Sequence, residues 1–383
     1  MKVLSIGTDR KLFEEGSSVL SRNKDYVAVE KMEELHIIVF SLASIGLKEK
    51  TIGNLHLYPT NSLNRLMYVI DAVRIGRRLI KNYGMSRNNS VISCQDPFET
   101  GLVGYFLRRK FKLPLQLQIH TDFLSPYFRN TFLNRVRALI AKYTIPKADS
   151  LRVVSTVIAD SVSNKFKDLK AKISILPIYV DVEKIINTGA VFANWSETAF
   201  EFTVLMVSRF TLEKQINVAI EAFKKVIDTK KNKNIGLYII GDGPEEENLR
   251  NQINKLDLET HVKIRGWETQ DLILSFYKNS DIFLLTSEYE GYGMTLIEAG
   301  AAGCPIVTTE VGIAKTDLFK NGENSFVCPV GDVDCLARGI IELEVNDEKR
   351  ELFKDRMQDS IKKTAITREE YVKKYVDLLE NLI

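Results

Sequence analysis

Two glutamates, Glu290 and Glu298, stand eight residues apart in the stretch TSEYEGYGMTLIEAGAAGCPIV (286–307), separated by Gly291 and Gly293. Two carboxylates across a scissile bond can divide acid and nucleophile between them, as in glycoside hydrolysis. Here, however, the glycines fall where a strand-like run, DIFLLTS, gives way to a helical, small-faced TLIEAGAAG. Backbone N–H groups freed by glycine at a helix start converge on an anion, and phosphate suits that spot. A donor that carries its own phosphate leaving group fits better than hydrolysis. Counter-charge is near at hand in FTVLMVSRFTLEKQ, where Arg209 and Lys214 lie on the predicted loop at a strand's carboxyl end. Ligands of open α/β sheets bind at that edge. There, an arginine fork and a lysine point charge can clasp a diphosphate, although each cation alone is as readily a solvated surface charge.

Other candidates are weighed against plainer roles. IIGDGPEEE (239–247) has glycines at a strand-to-helix turn, but its three glutamates would repel a phosphate and more naturally stabilise their own helix start. In the front half, predicted strands end at Asp96 and at His120-Thr121-Asp122. Their carboxyl edge faces a cleft in this class of sheet, and a lone histidine is otherwise an ordinary structural residue. The other three histidines show no metal spacing. Asp332 and Asp334 in GDVDC could hold a divalent ion, but they read better as a helix cap. The four cysteines form no C-x-x-C pair, so neither a metal site nor a disulfide is expected, and a reducing cytosol fits them.

These residues need a scaffold, and the chain supplies its pattern. In 383 residues, 45% hydrophobic and 27% charged, short apolar runs alternate with helix-length periodic segments, which predicts β-α-β units and parallel sheets. Two domains are expected, 1–184 and 200–365, with the junction in the aperiodic stretch 180–200. An amphipathic tail helix (366–383), presenting Tyr371, Tyr375, Leu378 and Leu379, is expected to pack back on the first domain. The opening MKVLSIGTDRK is too brief for a signal-peptide core, and no run is long enough to cross a bilayer. Residues 1–184 hold 29 Lys+Arg against 17 Asp+Glu, or +12, and the remainder 24 against 33, or −9. A basic front half suits an anionic partner such as a phosphorylated acceptor or lipid headgroup. Within it, 126–149 reads as a helix with Phe128, Phe132, Leu133, Val136, Leu139, Ile140 and Tyr143 interleaved with arginines and lysines. Core packing and a membrane interface both explain that face.

Arg209 with Lys214, then Gly241-Asp242-Gly243-Pro244, then EGYGMTLIEA, in that order, resemble the group 1 retaining glycosyltransferases of the GT-B fold, densely over the back half and more loosely in front. The resemblance implies an α/β protein with two Rossmann-like domains whose parallel sheets face across a cleft. It implies a hexosyltransferase-type enzyme that uses a nucleotide sugar, UDP-linked by preference, with no cofactor and no essential metal. Arg209 and Lys214 would bind the donor diphosphate, and Glu298 the ribose hydroxyls. Glu290 with the backbone of Gly291, Tyr292, Gly293, Met294 and Thr295 would hold sugar and phosphate. Ile264, Arg265 and Gly266 would line the base, and His120 would reach the sugar from the other domain. On the acceptor side stand Gly16 and Ser17, replacing the usual glycine pair, with Asp96 and Asp122. Two departures are Gln215, where the family has glycine, and GIAKTDLF, which lacks a glutamate three residues after its glycine. The +12 front half and the basic aromatic helix favour a glycan or polyprenyl-diphosphate-linked glycan as acceptor, as in surface polysaccharide or glycoconjugate synthesis. The enzyme would be cytoplasmic, peripheral at the inner face of the membrane, and would bind no nucleic acid. The rival readings are a nucleotide-sugar epimerase or hydrolase and a non-catalytic docking subunit.

Overall fold

The computed structural model describes residues 1–189, 200–229 and 234–383. The chain divides into two units, Met1–Pro177 with Ile366–Ile383, and Ile178–Ala365. Residues 178–189, at the start of the expected junction, pack with the second unit, and 190–199 lie outside the described residues.

The first unit holds eight strands: β1 (Lys2–Gly7), β2 (Glu34–Val39), β3 (Lys50–Ile52), β4 (Leu55–Pro59), β5 (Ser90–Cys94), β6 (Leu115–Ile119), β7 (Ser150–Val153) and β8 (Lys172–Ile175). Their order is β3-β4-β2-β1-β5-β6-β7-β8, with all pairs parallel except β3–β4. Central strands such as SVISC and LQLQI are buried at every position, because helices cover both faces of a parallel sheet. Helices α2 (Tyr68–Asn82), α3 (Glu99–Phe111) and α4 (Phe132–Thr144) pack side by side, and α1 (Ser18–Ala28) packs against the final helix, α13 (Arg368–Glu380).

α13 starts on a capping box between Thr367 and Glu370 and buries Tyr371, Tyr375 and Leu379. It closes over a polar seam in the sheet. Buried Arg152 donates to the Tyr371 hydroxyl (2.7 Å) and to the Gln118 Oε1 (2.8 Å), while Gln118 Nε2 donates to Ser93 and Tyr375. A buried guanidinium persists only when its donors are matched in this way. Histidines with no metal spacing in sequence meet across β2 and β4. His36 and His56 are register partners, their rings stacked at 4.6 Å, with Glu34 beside them. Burial holds the His36 imidazole down at about 4, and Lys2 already pairs with Glu34 at 3.2 Å, so the trio reads as packing.

The expected helix over 126–149 is broken into a 3₁₀ turn (Tyr127–Asn130), α4, and a second turn (Ile145–Lys147) around Pro146. Thr131 caps α4 by accepting from Asn134 N. Core packing does not account for its apolar side chains. Phe128 is buried, yet Phe132 is 81% exposed and Leu139 64%, and Leu133, Val136 and Tyr143 are also exposed.

The second unit opens with α6 (Val182–Asn187) and holds β9 (Phe202–Val207), β10 (Ile235–Ile240), β11 (Val262–Arg265), β12 (Ile282–Leu285), β13 (Ile306–Thr309) and β14 (Phe326–Cys328) in the order β11-β10-β9-β12-β13-β14, all parallel. Its other helices are α7 (Ile216–Thr229), α8 (Glu246–Lys255), α9 (Gln270–Lys278), α10 (Met294–Ala301), α11 (Val333–Val345) and α12 (Asp347–Thr364). The small face of α10 serves packing. A Cβ on Gly300 would lie 2.6 Å from Ile361 and 2.8 Å from Met357 of α12. Asp332 caps α11 by accepting from Cys335 N, as a cap rather than a metal ligand would. The cysteine expectation fails here: Cys328 on β14 and Cys335 on α11 form a disulfide, because a strand and the helix start that follows it bring their Cα atoms to 5.7 Å. Cys94 and Cys304 are free and buried.

Candidate functional site

Strand order changes direction between β9 and β12, since β10 and β11 lie to one side of β9 and β12 to the other. The loops leaving those two strands therefore diverge and open a crevice at the carboxyl edge. Arg209 and Lys214 leave β9 on one loop. Glu290 leaves β12 on the other.

The two loops are joined by charge. Lys214 Nζ lies 2.5 Å from Glu290 Oε1, both side chains being mostly buried, and the Ser287 hydroxyl donates to the same oxygen at 2.8 Å. The Thr286 hydroxyl donates to the carbonyls of Lys214 (3.0 Å) and Gln215 (2.9 Å), so the backbones are pinned as well. Arg209 differs. Its side chain is 68% exposed, with Glu213 at 3.7 Å, and its cationic fork projects into water. Gln215, at the family's glycine position, takes a left-handed conformation (φ 46°) and donates its amide to Glu288. Its Oε1, like Thr211 Oγ1, is buried without a partner among the described residues.

Glycines set these loops by close approach. A Cβ on Gly241 (φ 147°) would fall 1.8 Å from the Ser208 carbonyl oxygen, and one on Gly243 (φ 151°) 2.4 Å from the Phe210 carbonyl oxygen. Phe210 N donates to Asp242 O at 2.6 Å, and Glu245 N to Phe210 O at 3.1 Å. The GDGP turn thus clasps the loop that carries Arg209. Gly293 (φ 94°) caps α10. Gly312 (φ 50°) lies so near that a Cβ would meet Tyr292 O at 2.7 Å, and Ile313 N donates to Tyr292 O at 2.8 Å. Met294 and Thr295 open α10, half-buried.

Glu298 has a different partner from Glu290. Its Oε2 accepts from the Tyr277 hydroxyl of α9 at 3.2 Å, and burial raises its carboxyl above the usual range against that hydrogen bond. Arg265 stacks on Phe276 at 5.4 Å, and its carbonyl accepts from Gly241 N at 3.1 Å, while Gly266 is exposed. Ser287 and Tyr277 join the site from outside the residues that the sequence points to. Ser287 adjoins the EYEG motif, whereas Tyr277 leaves no local signal.

The first unit's candidates are engaged locally. Ser17 caps α1, accepting from Leu20 N, and donates to Lys11 O (2.6 Å), while Gly16 (φ 79°) is exposed beside it. Asp96 accepts from Phe98 N (2.7 Å) and Thr100 N (3.3 Å) at the start of α3. Burial, then neighbouring Glu99, pushes its carboxyl up to about 6. Asp122 accepts from Leu124 N and the Ser161 hydroxyl. His120 Nε2 meets Gln118 Oε1 at 3.2 Å, and desolvation, with Arg152 and Arg22 nearby, pushes the imidazole down to about 3.

The carboxyl edge of the second unit thus holds a crevice at a switch point, a lysine–carboxylate pair across it and a glycine-entered helix beside it. Residues 193–359 match the family described as Glycosyl transferases group 1. That stretch, under half of the chain, is similar to the group 1 glycosyltransferases. Over 334 residues the protein is 25% identical to an uncharacterised glycosyltransferase of Methanocaldococcus jannaschii, covering 86% of this chain and 85% of that relative. It is 27% identical over 230 residues to alpha-monoglucosyldiacylglycerol synthase of Streptococcus pneumoniae, 57% of this chain and 51% of that enzyme, so the match spans about half of that relative. The crystal structure of Anabaena HepE in complex with UDP and glucose is similar over the whole of both chains, with a TM-score of 0.74 at 18% identity, a likeness of fold. Both units have the largely parallel, Rossmann-like sheets found in proteins of the GT-B fold.

Proposed function

We propose that this glycosyltransferase moves a sugar from a nucleotide sugar, UDP-linked by preference, to a glycan or lipid-linked glycan acceptor with retention at the anomeric carbon. The observation that carries the reading is the Lys214–Glu290 pair at 2.5 Å across the β9/β12 crevice. A lysine held by a single carboxylate at a phosphate-competent helix start can change partners. On donor binding, Lys214 turns to the diphosphate with Arg209, and Glu290 is released to the sugar hydroxyls. The bond from anomeric carbon to phosphate oxygen then breaks, the acceptor oxygen bonds to that carbon on the same face, and the acceptor's proton passes to the leaving phosphate oxygen. Fixed cations where charge develops on the leaving phosphate contribute most to rate, so no metal is required, and transfer in chelator is expected to equal that in buffer. Glu298, protonated more readily than an ordinary carboxyl because of its burial, binds the ribose hydroxyls.

HepE's complex with UDP supports UDP as the donor nucleotide, and one relative bears the name of a glycolipid-forming enzyme. The exposed apolar stripe of α4 supports peripheral contact with an anionic membrane, and with it a cytoplasmic enzyme of surface polysaccharide or glycoconjugate synthesis. Among the described residues no helix is long and apolar enough to cross a membrane. The test is mass-spectrometric detection of sugar passed from UDP, GDP and ADP sugars to a polyprenyl-diphosphate glycan, with the product's anomeric configuration read by NMR. Retained configuration supports the reading, and free or epimerised sugar alone overturns it.

A further inference from the structure

The first unit has a second polar site, at the sheet's amino edge and so opposite the edge where substrates of this sheet class bind. A cavity of about 430 Å³ lies between the end of α3, the start of β6 and the residues after α13. Arg87, Arg108, Arg109 and Lys112 line it, with Tyr105 on one wall. One carboxylate opposes four cations there. Asp149 is already spent: its oxygens accept from Arg108 Nε (2.8 Å), Arg108 Nη2 (2.6 Å) and Leu115 N (2.8 Å). Among the described residues Arg87, Arg109 and Lys112 form no ion pair within 4 Å, although Arg87 adds to the field at Asp149 and Arg109 hydrogen-bonds the Tyr105 hydroxyl. Lys112 is held in a left-handed conformation (φ 60°) at the end of α3. An open cavity with three unpaired cations calls for an anion with several acceptor oxygens.

What lies next to the cavity identifies the source of that anion. The Tyr105 hydroxyl meets the Tyr143 hydroxyl at 3.0 Å, and Lys147 sits over the Tyr143 ring at 3.8 Å. Tyr143 ends the exposed stripe of α4. At 3.6 residues per turn, Phe132, Val136, Leu139 and Tyr143 share one face, with Arg135 and Lys142 along one flank. In the turn before α2, Leu63 and Leu66 are 87% and 88% exposed with Arg65 between them, and Arg74, Arg77 and Arg78 follow along α2, where Arg74 pairs with Asp71 and Arg78 with Glu49. Apolar side chains standing in water among arginines match a bilayer interface, where rings and aliphatic chains enter and cations meet phosphates.

We propose that the Arg87/Arg108/Arg109/Lys112 cavity holds the phosphate headgroup of an anionic lipid while the α4 stripe enters the bilayer around it. This rests on the reading of α4 as a bilayer contact. The cavity adds a defined headgroup site to what would otherwise be diffuse attraction.

The test uses the full chain in co-sedimentation with vesicles of phosphatidylcholine alone or with phosphatidylglycerol. Three variants with wild-type circular dichroism are compared: R87A/R109A/K112A in the cavity, K165A/K167A/K170A as the same charge removed from exposed positions elsewhere on the unit, and F132S/L139S on the stripe. Wild type is expected on the anionic vesicles only. Each cation near such a surface is worth about fivefold in partitioning, so the cavity variant is expected to lose on the order of 100-fold. The control should lose less than tenfold, and the stripe variant should lose binding to the anionic vesicles. Equal loss in cavity and control variants, or none in the cavity variant, overturns the headgroup site and leaves the bilayer contact standing. Wild type indifferent to vesicles overturns the bilayer contact and this proposal together. Micromolar binding of free glycerol phosphate, undiminished by vesicles, assigns the cavity to a soluble phosphate and overturns the lipid.

Discussion

Each unit has one place where strand order changes direction, between β1 and β5 in the first and between β9 and β12 in the second. The same topology leads to opposite chemistry. In the first unit neutral groups meet at that point. Thr8 N donates to Gln95 Oε1 at 3.2 Å, and Gln95 packs where a Gly7 Cβ would stand, while Asp96 is consumed in capping α3. In the second, the crevice is spanned by a lysine and a glutamate that are each other's charge partner, and Arg209 is largely exposed, with Glu213 at 3.7 Å. Charged side chains that satisfy their own helix starts contribute stability. Those that wait on each other across a crevice contribute little and are free to exchange for a ligand.

The sharpest way to break this contrast is Lys214→Ala. Turnover is expected to fall about 10²–10³-fold, the usual loss for one fixed donor at a developing oxyanion, with melting shifted by only a few degrees. Near-normal transfer rates, or a collapsed melting point, would place Lys214 among the structural residues.

Gly241→Ala probes how firmly the second crevice is built. A Cβ 1.8 Å from Ser208 O at φ 147° forces the Arg209 loop to move, and a loss of about 3 kcal/mol in urea unfolding is expected together with weaker donor binding. A variant as stable as wild type would mean that the GDGP turn does not set the loop.

Asp96 tests the first crevice through pH. Its carboxyl stands at about 6 in the folded protein and about 4 in the unfolded chain. The folded state therefore holds the proton more tightly. The contribution is whole below pH 4, is lost as pH rises through 6, and amounts to roughly 3 kcal/mol over that window. Asp96→Asn, which still accepts from backbone N–H, should lack this slope. Identical urea midpoints against pH in both proteins would exclude Asp96 as its source.

The smallest effect belongs to Gln215. Its left-handed backbone costs about 1 kcal/mol that glycine does not, so Gln215→Gly should gain stability of that order by thermal unfolding and leave turnover within twofold. A large loss of activity would make the Gln215–Glu288 contact part of the site.

Alternating strand and helix periods, the position of Arg209 and Lys214 on a strand's carboxyl edge, and the glycine entrance to α10 were readable because each depends on neighbours in sequence. What was hidden depends on distant contacts. Lys214 meets Glu290 across 76 residues, and Tyr277 reaches Glu298 from another helix. Cys328 and Cys335 lie seven apart, but only the turn of β14 into α11 brings them together. Residues 126–149 show the same limit. Their helical period marks an apolar face without saying whether protein or solvent lies opposite, and here Phe132 and Leu139 face solvent.

Calorimetric titration of UDP, GDP and ADP, with the matching nucleosides, into wild type and Arg209→Ala/Lys214→Ala tests the central claim most directly. One nucleoside diphosphate is expected to bind wild type and to lose on the order of 100-fold in the double variant, two charge-assisted contacts being removed, while its nucleoside binds both proteins alike. Equal diphosphate affinity in the two proteins would contradict the assignment of the β9/β12 crevice as the diphosphate site.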